Sequence, residues 1–260
     1  MKNKSTSQSS AITLLLGTAA GFSCIQAHAI SIGDVLTINP GVTSCINGDC
    51  YNYGTDVTTG SWLGLNTSNN GHLLPSEKIA VTGHGGGIIL GTSQPASGGH
   101  AGDPYGAGAG YTNGTITESP GIDEPWGFFG NTGMDYTTTP ITVLSSGTGT
   151  AVLDFSGWSW AYDGASIAMG SNFYSSIWGV GFKPGQAKIT CSSAACAQGD
   201  SYALTYYATV PFSAPDNLGG MFYALHLEGT ISAVPLPAAA WIFSSGLLGL
   251  LGVAGRRKAH

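Results

Sequence analysis

Apolar and polar residues alternate with a period of two along several stretches of the chain. No stretch between residues 30 and 233 sustains a long 3.6-residue period, so strands are predicted and long helices are not. Strand signals, rich in β-branched and aromatic residues, run over Ser31 to Asn39, Gly87 to Thr92, Pro140 to Leu144, Thr150 to Phe155, Ser201 to Val210 and Met221 to Ile231. The last two alternate most cleanly. Tyr202, Leu204 and Tyr206 share one face, and Phe222, Ala224, His226 and Glu228 oppose Tyr223, Leu225 and Leu227. Pro211 ends the first of these strands, and Pro215-Asp216-Asn217 with Gly219-Gly220 turns the chain into the second. The predicted fold is therefore all-β, an antiparallel β-sandwich or jelly roll. Trp158, Trp160 and Tyr162 fall on one strand face, which suits a sandwich core better than a sugar-stacking platform because large aromatics usually bury their area.

Composition agrees with this reading. The 260 residues include 41 Gly, 12 Pro, 6 Trp, 11 Tyr and 9 Phe, and only 8% are charged against about 25% in ordinary proteins. Coiled coils, charge-driven disorder and basic nucleic-acid binders are excluded. The placement of the charges is more informative than their number.

At the N-terminus, Lys2 and Lys4 precede an uncharged stretch from Ala11 to Gly21, and Ala27-His28-Ala29 supplies the small residues that signal peptidase accepts before its cut. Residues 1–29 read as a secretory signal peptide cleaved after Ala29, which also removes Cys24. At the C-terminus, Val234-Pro235-Leu236-Pro237-Ala238 leads into an uncharged run to Gly255, followed by Arg256-Arg257-Lys258. Such a run can just cross a bilayer as a helix at about 1.5 Å per residue, with the basic cluster holding its end in the cytoplasm. The two prolines keep the preceding stretch extended, as a protease cleft requires.

Residues 234–260 resemble the PEP-CTERM sorting signal in its VPLPA variant: a Pro-containing motif, a transmembrane helix and an Arg-rich end. The resemblance implies recognition by exosortase, a membrane-embedded thiol protease of Gram-negative bacteria that make exopolysaccharide, with cleavage near Val234 to Ala238. It further implies passage through an inner-membrane-anchored intermediate to the cell surface or extracellular matrix. Glu124 to Met134, Leu153 to Trp160 and Tyr223 to Ile231 are similar to segments of other secreted proteins with this tail, but bring no catalytic residues with them.

Removing both ends leaves a domain at residues 30–233 with Lys78, Lys183 and Lys188 against all 14 Asp and Glu. So acidic a surface does not bind nucleic acid and attracts divalent cations. Its four cysteines, Cys45, Cys50, Cys191 and Cys196, form two equal spacings, and beyond the inner membrane they are expected as disulfides. Three connectivities are possible. The local pairs are preferred because Asn47-Gly48 and Ser192-Ser193 can turn each loop back; zinc ligation would need reduced thiols and usually closer spacing.

Within residues 66–77 the chain has the spacing of an EF-hand calcium loop: Asn66, Ser68, Asn70, the turn Gly71, His72 through its carbonyl, and Glu77 at the twelfth position. Glu77 is the loop's single carboxylate, so any calcium is expected to bind weakly, in the millimolar range, and an Asn/Gly-rich turn ahead of a short helix accounts for the same residues. No other cofactor is expected. His84-Gly85-Gly86-Gly87 looks like an esterase oxyanion loop, but no G-x-S-x-G nucleophile elbow exists in the chain, so a Gly-rich lead into a strand is the better reading. Asp123-Glu124 beside Trp126 invites a glycosidase reading. Adjacent strand residues point to opposite faces, however, and partners such as Asp103, Asp135, Asp154 or Asp163 could be supplied only by the fold. The sequence therefore predicts no catalytic residues. It predicts a structural or adhesive surface protein associated with exopolysaccharide, processed by signal peptidase and exosortase, with a carbohydrate-binding module as the alternative and a carbohydrate-active enzyme behind it.

Overall fold

The computed structural model of the protein describes residues 29–66, 73–81, 87–95, 126–128, 131–162, 165–170, 183–215 and 217–233. Its strands are β1 (Asp34–Leu36), β2 (Val42–Cys45), β3 (Thr55–Thr59), β4 (Trp62–Asn66), β5 (Lys78–Ala80), β6 (Ile88–Ile89), β7 (Trp126–Phe128), β8 (Asn131–Thr137), β9 (Val143–Gly147), β10 (Thr150–Asp154), β11 (Trp158–Tyr162), β12 (Ala165–Ala168), β13 (Gln186–Cys191), β14 (Ser201–Thr209) and β15 (Phe222–Ala233). The helices among the described residues are a single α turn at Cys50–Tyr53 and 3-10 turns at Ile46–Gly48 and Pro75–Glu77. None is long and apolar enough to cross a membrane; the signal peptide predicted up to Ala29, all but its last residue, and the sorting segment predicted from Val234 onward lie outside the described residues.

Every strand pairing among the described residues is antiparallel. The largest sheet runs β5-β4-β15-β14-β13-β10-β9, with β1 pairing both β15 and β6; β12-β11-β8-β7 form a second sheet and β2-β3 a hairpin. The 12-residue strand β15 is the spine. One edge pairs with β14 from Phe222↔Thr209 to Thr230↔Ser201. The other edge is shared, by β4 along Phe222 to His226 and by β1 along Ile231 to Ala233. Between them, Thr37 and Asn39 donate their amides to the carbonyls of Thr230 and Glu228, at 3.0 and 2.7 Å. Gly229 makes this approach possible, since a Cβ there would lie 1.7 Å from the Thr37 carbonyl oxygen.

The alternation in β14 and β15 buries Tyr202, Leu204 and Tyr206 with Tyr223, Leu225 and Leu227, as the pattern predicts. Trp158 and Trp160, only 0% and 1% exposed, belong to this core and form no sugar platform; the Tyr162 side chain lies outside the description. Phe155 packs against Trp158 and Tyr206 with ring centroids 5.0 and 5.1 Å apart. Side chains of β8 and β11 thus meet those of β14 and β15, and burial of so much aromatic area is the main stabilising term.

Three predicted strands are shorter or displaced. Gly33, at φ +92°, holds residues 31–34 in a turn, so β1 begins only at Asp34. Gly91, at φ +82°, ends β6 after two residues. Pro140 lacks an amide proton, and pairing in that region begins at Val143. Both disulfides are local, Cys45–Cys50 and Cys191–Cys196. Closing such short loops contributes about 2 kcal/mol each by removing freedom from the unfolded chain. The paired cysteines accord with an oxidising compartment.

Candidate functional site

The outward side chains of the large sheet line up across strands. Register places Ala80 beside Trp62, Trp62 beside His226, His226 beside Thr205, Thr205 beside Lys188 and Lys188 beside Val152. Trp62 points outward because Leu63 and Leu65, on the opposite parity of β4, are core residues. Its indole stacks on His226, with centroids 5.4 Å apart and planes 22° from parallel. On its other flank, Lys78 Nζ lies 5.3 Å from the ring centroid and 3.0 Å from Asp56 Oδ1. A cation over an accessible ring contributes about 0.5–1 kcal/mol.

Glu228, two residues along β15 from His226, shares that face. Its Oε1 is 3.1 Å from His226 Nε2, and its Oε2 accepts the Gly60 amide at 3.2 Å. Buried Ser61 fixes the backbone beneath, accepting the Glu228 amide at 2.9 Å and donating to the Glu228 carbonyl at 3.2 Å. Beside Glu228 lies a groove of about 290 Å³ lined by Asn39, Thr190, Ser192, Ser201, Tyr202, Ala203, Glu228 and Gly229. Asn39, Thr190, Ser192, Ser201 and Glu228 bring an amide, hydroxyls and a carboxylate to it, which together accept and donate. A hydroxyl-rich ligand can bond to such a groove and touch the partly exposed Trp62–His226 pair beside it. Sequence reasoning missed Trp62; the alternation in Ser61-Trp62-Leu63-Gly64-Leu65 was the signal that could have found it.

The residues singled out in the sequence do not gather here. Asp135 sits between the sheets, 1% exposed, with Tyr223 Oη donating to its Oδ1 at 3.2 Å and Trp158 Nε1 donating to Tyr223 Oη at 3.2 Å. Its Oδ2 has no partner among the described residues, and burial pushes its carboxyl up to about 8. Asp154 turns back on its own chain, accepting the Ser156 amide at 2.9 Å. Asp103, Asp123, Glu124 and Asp163 lie outside the described residues.

Of the calcium-loop residues, Ser68, Asn70 and His72 also lie outside. Asn66 is buried at the end of β4, opposite Phe222, and Glu77 Oε2 accepts the Leu74 amide at 2.7 Å, closing the turn at Pro75–Glu77. No group of three or more metal-ligating side chains occurs among the described residues. Gly87 lies at φ +105° just before β6, where a Cβ would come within 2.1 Å of the Leu36 carbonyl oxygen; His84 to Gly86 lie outside the description.

Comparison of the chain with protein-family models, curated proteins and solved structures finds no match.

Proposed function

We propose that this is an exported surface or matrix protein whose two larger sheets pack as a β-sandwich, and that it acts in adhesion by holding exopolysaccharide against the outer face of the nine-stranded sheet. The observation that carries the reading is the Trp62–His226 stack beside the groove at Glu228. Aromatic faces take up the C–H faces of sugar rings, and closely set hydroxyl, amide and carboxylate groups satisfy sugar hydroxyls. Strands about 4.8 Å apart set these side chains at intervals similar to the length of a sugar ring, so a polymer crossing the strands would meet successive groups. In this reading signal peptidase removes residues 1–29, and exosortase cuts near Val234 to Ala238 to deliver the domain to the surface of a Gram-negative cell.

Depletion from solution by the host's purified exopolysaccharide tests the proposal. The wild-type protein is expected to sediment with the polymer and Trp62→Ala to remain in solution, its melting midpoint lowered by only a few degrees for the lost ring contacts. Equal depletion of the two proteins rejects this face as the binding site. Release of reducing sugar during the incubation would establish a carbohydrate-active enzyme instead.

A further inference from the structure

Ile30, the first residue expected after signal-peptide removal, is built into the core. Its side chain is 4% exposed, and its backbone nitrogen donates to the Cys196 carbonyl at 2.7 Å. The acceptor lies in a cross-linked loop: Cys196 is buried, disulfide-bonded to Cys191 and at φ +49°, while Asp200 Oδ2 accepts the Ala197 amide at 2.7 Å and the Ser193 hydroxyl at 2.6 Å. Close to Ile30 sits a carboxylate. Asp34 is 3% exposed, its Oδ2 accepts the Ser31 amide at 2.8 Å and, more loosely, the Ser31 hydroxyl at 3.4 Å, and its Oδ1 accepts Gln198 Nε2 at 2.6 Å. No ion pair among the described residues involves Asp34. Burying a carboxylate is costly unless a cation or several hydrogen bonds compensate it, and the bond to Ser31 places that carboxylate one residue from the Ile30 nitrogen.

We propose that the Ala29–Ile30 junction is a processing site whose product binds back into the fold: the α-ammonium group of Ile30 occupies a socket formed by the Cys196 carbonyl, the Asp34 carboxylate and Gln198. This rests on the reading of residues 1–29 as a cleaved signal peptide. Signal peptidase hydrolyses the amide bond, water supplying the hydroxyl that completes the Ala29 carboxylate and the proton that leaves Ile30 with a free amine, which is protonated at neutral pH. One amide N–H thereby becomes three charged donors. The bond to Cys196 is retained, and the new charge serves Asp34. The Ala29↔Ala197 bridge is given up in exchange. The fold is thus completed only after cleavage, which keeps the exported precursor less stable than the mature domain.

The test is a thermal double-mutant cycle on the protein exported with its own signal, with Gly-Ser inserted between Ala29 and Ile30 as one change and Asp34→Asn as the other. Each change alone is expected to lower the melting midpoint by about 4 °C. Asp34→Asn is expected to cost less than half as much in the extended chain. Equal losses in both backgrounds overturn the socket. If Asp34→Asn does not fold, titration of the Ile30 amine decides: the socket raises it above the usual value of about 8, and an unshifted titration overturns the proposal. Mass spectrometry of the mature N-terminus separates the two levels, because a start other than Ile30 removes the cleavage reading together with the socket, whereas Ile30 with uncoupled losses removes the socket alone.

Discussion

Asp135 should make the protein less stable as pH rises, the opposite of the usual behaviour of paired carboxylates. Its carboxyl is fully buried, touched by Tyr223 through one oxygen and by no described partner through the other, and burial raises it from 3.8 to about 8. Below pH 4 both folded and unfolded chains hold this proton, so the group is neutral in its effect. Between pH 4 and 8 the unfolded chain releases the proton and the folded chain keeps it, so stability falls with pH; above 8 both are ionised and the loss levels off. The full difference is on the order of 5 kcal/mol at 1.36 kcal/mol per pKa unit. Asp135→Asn preserves shape and an acceptor for Tyr223, and leaves an unpartnered amide N–H where the protonated acid had an unpartnered hydroxyl. At pH 4 the two proteins should therefore agree within about 1–2 kcal/mol. Urea unfolding followed by tryptophan fluorescence from pH 4 to 9 should show the variant gaining on the wild type through this range, reaching several kcal/mol near pH 8.5. Parallel pH profiles for the two proteins would refute the reasoning.

Gly229→Ala should destabilise the domain by roughly 2–3 kcal/mol, because the Thr37 carbonyl must move away from the new methyl group and weaken the junction of β1 with β15; a urea midpoint equal to wild type would contradict this. Calcium should raise the melting midpoint only at millimolar concentration, given one carboxylate in residues 66–77, and identical midpoints in about 10 mM calcium and in chelator would remove that site. Replacing Pro235 and Pro237 by Ala should leave an uncleaved, membrane-retained precursor in the native host, measured by fractionation, with unchanged release arguing for another processing route.

What the sequence discloses about this fold is parity; what it withholds is partnership. In β14 and β15 the alternation of Tyr202, Leu204 and Tyr206, with Pro211 and Gly219-Gly220 bounding the connection, makes both strands and their pairing legible, because every cue is local. Trp158 and Trp160 show how far parity reaches. Their shared face is readable, but whether it meets water or protein depends on residues such as Tyr223, more than 40 residues away and on the other sheet, whose hydroxyl accepts the Trp158 indole N–H. Asp135 is the same problem in a polar residue, since its position in β8 says nothing of the burial that makes it a structural acid. The outer face was hidden for a further reason. Trp62, His226, Thr205 and Lys188 are neighbours only because β4 crosses the chain to join β15, while β13 and β14 continue the sheet on its far side. Each strand's pattern states which residues point outward, and none states which strand lies beside it. A site assembled across strands is therefore fixed by sheet order, which the core selects through long-range packing, and this is why the most suggestive surface of the molecule contains no contiguous motif.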